Sequence, residues 1–146
     1  KNNMEGPNLS FSDRELLLFA ESERLKTFTG WPNDVSWTCT PKKLASAGFY
    51  FNPSPESPDN VCCMFCQKEL DGWESEDDPL AEHKKHSPNC PFLSVTKPIE
   101  KLTIVEFIRL IVKVTTLKSD RMIDLRKRQY EDLSIVTRKI INDHIS

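Results

Sequence analysis

Long apolar runs are absent from this chain of 146 residues, because charged side chains interrupt every apolar stretch. We therefore predict no membrane-spanning segment, and we find no secretory signal pattern. The formal net charge is only -2, which argues against tight nonspecific binding of nucleic acid. The sequence also has no Ser-His-Asp set and no phosphate-binding loop, so nothing in it indicates an enzyme.

An even set of cysteines is missing as well. The chain has five cysteines, whereas a secreted disulfide scaffold uses an even number. We therefore expect an intracellular protein whose thiols bind a metal. The sequence begins with Lys1 rather than methionine, and we expect it to be a fragment or a trimmed form of a longer chain.

Charge is distributed unevenly along the chain. Residues 1–99 carry 10 basic and 15 acidic side chains, whereas residues 100–146 carry 10 basic and 7 acidic ones. This difference indicates two structures with different partners, and the acidic balance of the first argues against a DNA-binding zinc finger. We predict an N-terminal extension at 1–10, a small domain at 11–95, a linker at 96–102 and a long helix at 103–146.

Helix signals open the small domain. Ser12 and Glu15 form a Ser-x-x-Glu capping box, which predicts a helix near residues 13–25. Thr40 and Pro41 predict the start of a short helix that Gly48 ends.

Short strands follow in the same domain. We predict strands at 49–51 and 61–63, and we place Gly72 and Trp73 in a further strand. Pro79 begins another helix. The result is a small α+β domain with few large apolar residues, and domains of this kind often need a metal or a disulfide for stability.

The C-terminal region has a different character. Thr103 and Glu106 form a second capping box, and neither glycine nor proline follows. We predict one long helix, with a break at 114–120 as the alternative because that stretch is β-branched and then polar. Its apolar residues recur near a period of 3.6, at Ile104, Ile108, Ile111, Met122, Leu125, Leu133, Val136 and Ile140.

Four residues have the spacing of a zinc site. Cys63 and Cys66 form a Cys-x2-Cys pair, and His83 and Cys90 follow downstream, which is a Cys3His donor set. Four protein ligands close a tetrahedral site, so the zinc is predicted to be structural rather than catalytic. The alternative is a group of buried thiols without metal.

The neighbouring cysteines Cys62 and Cys63 cannot both face one ion from a strand, because successive side chains point to opposite faces. Only Cys63 has the two-residue spacing to Cys66 that makes a tight turn. We therefore assign Cys63 as the ligand and Cys62 to packing. Cys39 is expected to be a core or surface thiol outside the site.

Three segments resemble the baculoviral IAP repeat, or BIR domain. They are "RLKTFTGWP" at 24–32, "LASAGFYF" at 44–51 and "CCMFCQKELDGWESEDDPLAEHKKHSPNCPFL" at 62–93. The resemblance covers about residues 15–95 and includes the Cys and His spacing. It implies a zinc-stabilised α+β BIR domain, with a short three-stranded sheet and surrounding helices, followed here by one long C-terminal α-helix.

The chain has one BIR, no RING finger and a long C-terminal helix, as in single-BIR members of the family. This resemblance implies a non-enzymatic subunit of the chromosomal passenger complex, with borealin, inner centromere protein and an Aurora-type kinase as partners. It implies a role in mitosis, and a location at the nucleus, centromere or kinetochore, spindle midzone and cytoplasm. The alternative within the family is an apoptosis inhibitor that binds N-terminal peptides of the caspase pathway.

Residues 69–82 hold seven acidic side chains and no basic one, with Trp73 among them. An acidic pocket with an indole wall suits the α-amine and small first side chain of a peptide N-terminus, although a solvated charged surface is the alternative. The resemblance implies that Asp77 binds the amine, helped by Asp71 where relatives usually have Glu. The implied groove consists of Lys68, Leu70, Asp71, Trp73, Asp77, Glu82 and His86.

The resemblance assigns His86 and Lys68 to a phosphate, namely that of a histone tail beginning Ala-Arg-phosphoThr. Apoptosis-regulating BIRs tend to carry Trp where this chain has His86, and a cationic pair suits a phosphate better than an apolar side chain. The alternative is that His86 is an ordinary exposed residue.

Three further sites rest on the resemblance. Ile99, Ile104 and Phe107 are expected to form a homodimer contact when the chain is without partners. Leu125, Leu133, Val136 and Ile140 are expected to join a three-helix bundle with borealin and inner centromere protein, the alternative being a coiled coil of identical chains. Thr40 lies in a Thr-Pro-x-Lys pattern typical of sites for cyclin-dependent kinases, the alternative being that it only caps a helix.

Overall fold

A computed structural model describes residues 11–32 and 36–145, so the predicted extension at 1–10 lies outside the described residues. The helices are α1 (Asp13–Leu17), α2 (Glu21–Lys26), α3 (Pro41–Ser46), α4 (Pro79–His86) and α5 (Ile104–Ile145). The strands are β1 (Phe49–Phe51), β2 (Val61–Cys63) and β3 (Glu69–Leu70), and short 3-10 turns occur at Pro91–Ser94 and Ile99–Lys101. Contacts divide the described residues into two units, 11–114 and 115–145.

The predicted capping box at the start of α1 is present. The backbone N–H of Ser12 donates to Glu15 Oε2 at 2.8 Å, and the N–H of Glu15 donates to Ser12 Oγ at 3.2 Å. These two bonds satisfy donors that the first helical turn leaves without partners.

The prediction of a single helix at 13–25 is wrong, because α1 ends at Leu17 and α2 begins at Glu21. The cause is Arg24, whose Nη1 donates to the carbonyl oxygens of Leu18 at 2.9 Å and Phe19 at 2.7 Å. Its Nε donates to the oxygen of Ala45 at 3.0 Å. Burial lowers the pKa of Arg24 to about 10, so it remains protonated at neutral pH.

The short helix α3 forms as predicted. Thr40 Oγ1 accepts from the backbone N–H of Lys43 at 3.3 Å, and Pro41 occupies the first turn. Gly48 follows the helix with a φ of +95°, and a Cβ there would lie 3.0 Å from the ring of Phe92. Both the backbone conformation and this close approach require glycine.

The three strands form one antiparallel sheet in the order β1-β2-β3, with Phe49 opposite Cys63 and Val61 opposite Leu70. The placement of Gly72 and Trp73 in a strand is wrong, because β3 ends at Leu70. Gly72 has a φ of +68°, which turns the chain out of the ladder.

The core of the first unit lies between the sheet, α3 and α4. Its largest apolar side chains are Phe49, Phe65, Leu44 and Met64, all fully buried. Phe65 and Phe92 also flank the guanidinium of Arg24, with the Arg24 Cζ atom 5.5 and 5.6 Å from the two ring centroids. A charged group thus lies inside this apolar core with hydrogen bonds and ring contacts that offset its burial.

Helix α5 is continuous across 114–120, so the alternative break is not present. Its start carries the predicted capping box, in which the Thr103 N–H donates to Glu106 Oε2 at 2.7 Å and the Glu106 N–H donates to Thr103 Oγ1 at 3.2 Å. Leu110 and Val114 are buried within the first unit. Among the described helices, none is both long and apolar enough to cross a membrane.

Candidate metal centre and peptide groove

The structure brings together the four residues predicted to hold zinc. The ligand atoms of Cys63, Cys66, His83 and Cys90 all lie within 4.8 Å of one another, and all four residues are buried. Cys63 Sγ lies 3.9 Å from Cys90 Sγ, and Cys66 Sγ lies 3.5 Å from His83 Nε2. A tetrahedral zinc ion with Zn–S bonds of about 2.3 Å holds its sulfur ligands about 3.8 Å apart. The cluster therefore suits a single zinc ion.

The turn after β2 orients the side chains of Cys63 and Cys66. The N–H of Gln67 donates to the Cys63 oxygen at 2.9 Å, and Gln67 adopts a φ of +58° that closes the turn. The N–H of Phe65 points at Cys63 Sγ at 3.4 Å, and Ser87 Oγ donates to Cys66 Sγ at 3.2 Å. Such hydrogen bonds orient metal ligands and stabilise thiolates. Sequence spacing gave no indication of the role of Ser87.

His83 is held in the tautomer that a metal ligand needs. Its Nδ1 lies 2.7 Å from the carbonyl oxygen of Ala47. A carbonyl oxygen can only accept, so Nδ1 carries the proton and the Nε2 lone pair faces the cluster. The ring also packs against Phe49, with centroids 4.7 Å apart.

The pKa shifts of the cluster thiols also favour a bound cation. Hydrogen bonds from Cys63 and Cys90 hold the pKa of the Cys66 thiol far below its usual range. Burial, followed by the hydrogen bond with Cys66, raises the pKa of Cys63 well above its usual range. Three thiolates buried this close together require a positive ion between them.

Cys62 lies outside the cluster, as predicted. It is buried opposite Tyr50 in the sheet and contacts the Tyr50 hydroxyl, and its Sγ donates to the Cys63 oxygen at 3.8 Å. Cys39 is likewise buried, and its burial raises its pKa to about 11.

The predicted groove residues follow β3 directly. Trp73 is buried, its ring packs on Phe49 with centroids 5.9 Å apart, and its Nε1 donates to the Leu70 oxygen at 3.3 Å. Asp77 Oδ2 accepts from the Glu74 N–H at 2.8 Å. These contacts fix the positions of the Trp73 indole and the Asp77 carboxylate.

The second oxygen of Asp77 has no hydrogen-bond partner among the described residues. The turn that carries Asp77 is tied to the segment before α3, because the Ser75 oxygen accepts from the N–H groups of Thr38 and Cys39, both at 3.0 Å. The open carboxylate oxygen is therefore on a well-supported turn, where it can accept from a ligand.

His86 and Lys68 do not contact each other. His86 Nε2 lies 3.2 Å from Glu82 Oε2, and Lys85 contacts the same carboxylate at 3.1 Å. In the part of the chain that the structure describes, no polar contact joins Lys68 to His86. Glu82 thus contacts both Lys85 and His86 through one carboxylate.

Two residues that the sequence analysis missed support the groove from the loop between β1 and β2. Ser57 Oγ donates to Asp71 Oδ2 at 2.6 Å, and Asp59 Oδ2 accepts from the Trp73 N–H at 2.8 Å. The three prolines at 52–60 predicted a surface loop and nothing more. These contacts join residues 14 positions apart, which local spacing does not indicate.

The remaining predicted residues differ in exposure. Ile104 is 80% exposed, whereas Ile99 and Phe107 are half-buried, and the Phe107 ring contacts Phe19 with centroids 6.2 Å apart. In the second unit, the predicted bundle residues are all more than half exposed, namely Leu125, Leu133, Val136 and Ile140. No contact here tests a homodimer or a bundle.

Comparison with known proteins agrees with this site. The BIR family, described as the Inhibitor of Apoptosis domain, matches residues 24–94. Baculoviral IAP repeat-containing protein 5.2-A of Xenopus laevis is 44% identical over 117 residues, covering 80% of this chain and 74% of the relative. Baculoviral IAP repeat-containing protein 5 of Mus musculus is 40% identical over 124 residues, covering 85% of this chain and 89% of the relative.

The chain therefore belongs to the BIR-containing family of inhibitor of apoptosis proteins. Within that family its resemblance is to survivin, the common name of Baculoviral IAP repeat-containing protein 5, which confirms the predicted likeness to single-BIR members. The predicted α+β fold, with a three-stranded sheet and a long C-terminal helix, is confirmed as well.

Proposed function

We propose that this chain is a non-enzymatic subunit of the chromosomal passenger complex. Its groove reads the histone tail Ala-Arg-phosphoThr, and α5 forms a bundle with borealin and inner centromere protein, through which an Aurora-type kinase is brought to the centromere in mitosis. The observation that carries this proposal is the open Asp77 carboxylate, four residues after the fixed Trp73 indole on the same segment.

The α-amine of a peptide is a cation with three donors, which suits a carboxylate with an oxygen to spare. In the proposed binding mode, Leu70 and the edge of the Trp73 ring receive a small first side chain such as alanine. Capture of a peptide N-terminus is an established recognition mode. Because the segment is tied at Ser75 and Asp59, little ordering is needed on binding.

The phosphate end of the peptide is assigned to α4. His86 is exposed at the last turn of that helix. A phosphate there competes with Glu82 for the His86 imidazole, because Glu82 already lies 3.2 Å from it. Lys68 serves as the second cation once a phosphate draws the two side chains together.

Two apolar stripes on the part of α5 in the second unit favour the proposed three-helix bundle. At about 100° per residue, Leu125, Leu133, Val136 and Ile140 lie on one stripe of α5. Ile123, Tyr130 and Ile141 lie on a second stripe about 100° away, and all three are about half or more exposed. A helix with two apolar stripes suits two partner helices, whereas a two-stranded coiled coil uses one.

The test measures binding of Ala-Arg-Thr peptides with and without phosphate on the third residue. We expect phosphate to strengthen binding roughly tenfold, since a charge-assisted hydrogen bond is worth about 1.5–3 kcal/mol. Asp77→Ala should weaken both peptides. His86→Ala should remove the preference for phosphate but keep weak binding of the plain peptide.

Lys84→Ala is the matched control, because it removes a cation from the same helix without touching Glu82 or His86. An unchanged phosphate preference in His86→Ala contradicts the role given to His86. Tighter binding of an Ala-Val-Pro-Ile peptide than of either histone peptide favours the alternative, an apoptosis inhibitor. Co-purification with borealin and inner centromere protein from mitotic cells tests the complex itself.

A further inference from the structure

The loop between β1 and β2 carries two Ser-Pro dipeptides, Ser54-Pro55 and Ser57-Pro58. Most of the loop is exposed. The backbones of Ser54 and Ser57 bond each other, with N–H to oxygen distances of 3.1 and 3.2 Å. The two serines therefore sit on one tight turn, with Ser54 exposed and Ser57 half-buried. Each is followed by proline, which is the sequence context of proline-directed kinases.

Only one of the two serines touches the groove. Ser57 Oγ donates to Asp71 Oδ2 at 2.6 Å, and Asp71 is one of the carboxylates assigned to the peptide amine. Ser54 Oγ instead accepts from the Ser57 N–H at 3.1 Å. The same loop also contacts the groove through Asn52 Nδ2, 3.1 Å from Glu69 Oε1, and through Asp59.

We propose that Ser57 is a phosphorylation site for a proline-directed kinase, and that the phosphate switches the groove to a weaker state. The weakening, although not the modification, rests on the function proposed above. The kinase transfers the γ-phosphoryl group of ATP to Ser57 Oγ. The Oγ–P bond forms, the bond from the γ-phosphorus to the bridging oxygen breaks, ADP leaves, and the hydroxyl proton passes to the kinase's base.

The modification reverses the contact with Asp71. The hydroxyl is a donor to the carboxylate, whereas a phosphoserine carries a charge of about -1.5 to -2 near neutral pH and oxygens that accept. A hydrogen bond of 2.6 Å is then replaced by repulsion between two anions. Asp71 must turn away from its present position, and the amine loses one of its two carboxylates.

A phosphate on Ser54 has a different outcome. Its oxygens can still accept from the Ser57 N–H, so the turn is kept, and the Ser57 hydroxyl continues to hold Asp71. The loop thus supplies its own control, because the two sites have the same proline context and the same added charge.

The binding experiment uses the full chain with phosphoserine incorporated at position 57 or at position 54. We expect phosphoserine at 57 to weaken binding of the Ala-Arg-phosphoThr peptide roughly tenfold, in line with loss of a hydrogen bond to a charged group. Phosphoserine at 54 should change the affinity less than twofold. Ser57→Ala should give a smaller loss, since it removes the donor without adding charge. Zinc content and circular dichroism confirm that each form is folded.

The same binding measurement in the Asp71→Asn variant tests whether the effect of phosphoserine at 57 acts through Asp71. Asparagine can donate to a phosphate, so phosphoserine at 57 should no longer weaken binding there, although Asp71→Asn alone binds less tightly. Equal losses from phosphoserine at 54 and 57, tighter binding with phosphoserine at 57, or the same loss in Asp71→Asn would each overturn the proposal.

Two readouts do not depend on peptide binding. A proline-directed kinase should label the folded chain at Ser57 by mass spectrometry, and Ser57→Ala should remove that label. Phosphoserine at 57, and not at 54, should shift the amide signals of residues 71–73 in NMR spectra. If the unmodified chain binds no N-terminal peptide, the proposed function fails, yet these two readouts still decide whether Ser57 is modified and acts on Asp71.

Discussion

The two units of the chain differ in where their apolar residues lie. In residues 11–114 a set of large apolar side chains forms a core near the metal cluster and Arg24, and Phe49, Phe65 and Leu44 are fully buried. In residues 115–145 such side chains are mostly exposed, with Tyr130 66% and Ile135 67% accessible. The first unit thus has a core of its own, whereas most large apolar side chains of the second lie on its surface.

We therefore expect the two units to be stabilised in different ways. A small domain with a modest core gains much of its stability from a metal. A single helix gains most of its stability from packing of its apolar face, and the bundle proposed above would cover the exposed stripes. Changes in the first unit should therefore act on folding, and changes in the second should act on assembly.

Loss of a metal ligand should have the largest effect. Cys63→Ser should abolish zinc binding and unfold the first unit, because structural zinc supplies about 10–16 kcal/mol of apparent free energy in small zinc domains. Zinc content and thermal melting measure this result. Cys62→Ser, one residue away and also buried, should keep the metal, and equal zinc loss in both variants contradicts the ligand assignment.

Charges on the first stripe of α5 should break assembly and leave the fold intact. Val136→Glu combined with Ile140→Glu places two anions in the proposed bundle, so binding of borealin and inner centromere protein should be lost in a pull-down. Zinc content and histone-peptide affinity should not change.

Arg128→Glu is the control for this double variant, since it makes the same change of two charge units outside both stripes. Loss of the complex in Arg128→Glu as well would point to charge rather than to the stripe. Assembly by the double variant would show that α5 has another role.

Substitution of the buried Arg24 should cost less than metal loss but more than an ordinary surface change. Arg24→Met leaves the carbonyl oxygens of Leu18, Phe19 and Ala45 without their donor, so we expect a loss of about 3 kcal/mol or more in the free energy of unfolding. Urea denaturation of the zinc-bound chain measures it.

Arg24→Lys should recover part of that loss, because an ammonium donates but lacks the planar fork of a guanidinium. Arg14→Met, in the exposed helix α1, should stay within about 0.5 kcal/mol of the unmodified chain. Similar losses for Arg14→Met and Arg24→Met would mean that the buried contacts contribute little.

Removal of the α3 cap should have the smallest effect. Thr40→Ala loses the bond to the Lys43 N–H and should lower stability by about 1 kcal/mol, whereas Thr40→Ser should not. A phosphate on Thr40 lies at a helix N-terminus, where negative charge is favourable, so the fold should persist. Absence of label at Thr40 after treatment with a mitotic kinase would remove the phosphorylation hypothesis and leave the cap.

Local patterns predicted most of the elements and the metal ligands. Capping boxes marked α1 and α5, and Cys-x2-Cys with a later His and Cys marked the cluster. The break between α1 and α2 could not be predicted, because it depends on Arg24 reaching back to carbonyls five and six residues away. The position of Trp73 outside β3 could not be predicted either, because Gly72 turns the chain and Asp59 binds the Trp73 N–H from a distant loop.

The groove was predicted by resemblance rather than by pattern. Its acidic composition also fits a solvated surface, and peptide binding is the measurement that decides between the two. Ser57 was missed for the same reason as Asp59, since a partner 14 residues away leaves no periodic signal.

Residues 67–82, which include most of the predicted groove residues, are held at both ends by the metal cluster. Cys66 precedes that segment and His83 follows it, with Sγ and Nε2 3.5 Å apart, and Phe49 packs on both His83 and Trp73. A bound zinc therefore closes residues 67–82 into a ring, and a closed ring has less freedom to lose when a peptide enters. Oxidants that convert Cys63 and Cys66 to a disulfide would remove two metal ligands and open the ring, so the proposed peptide binding should become sensitive to oxidative stress.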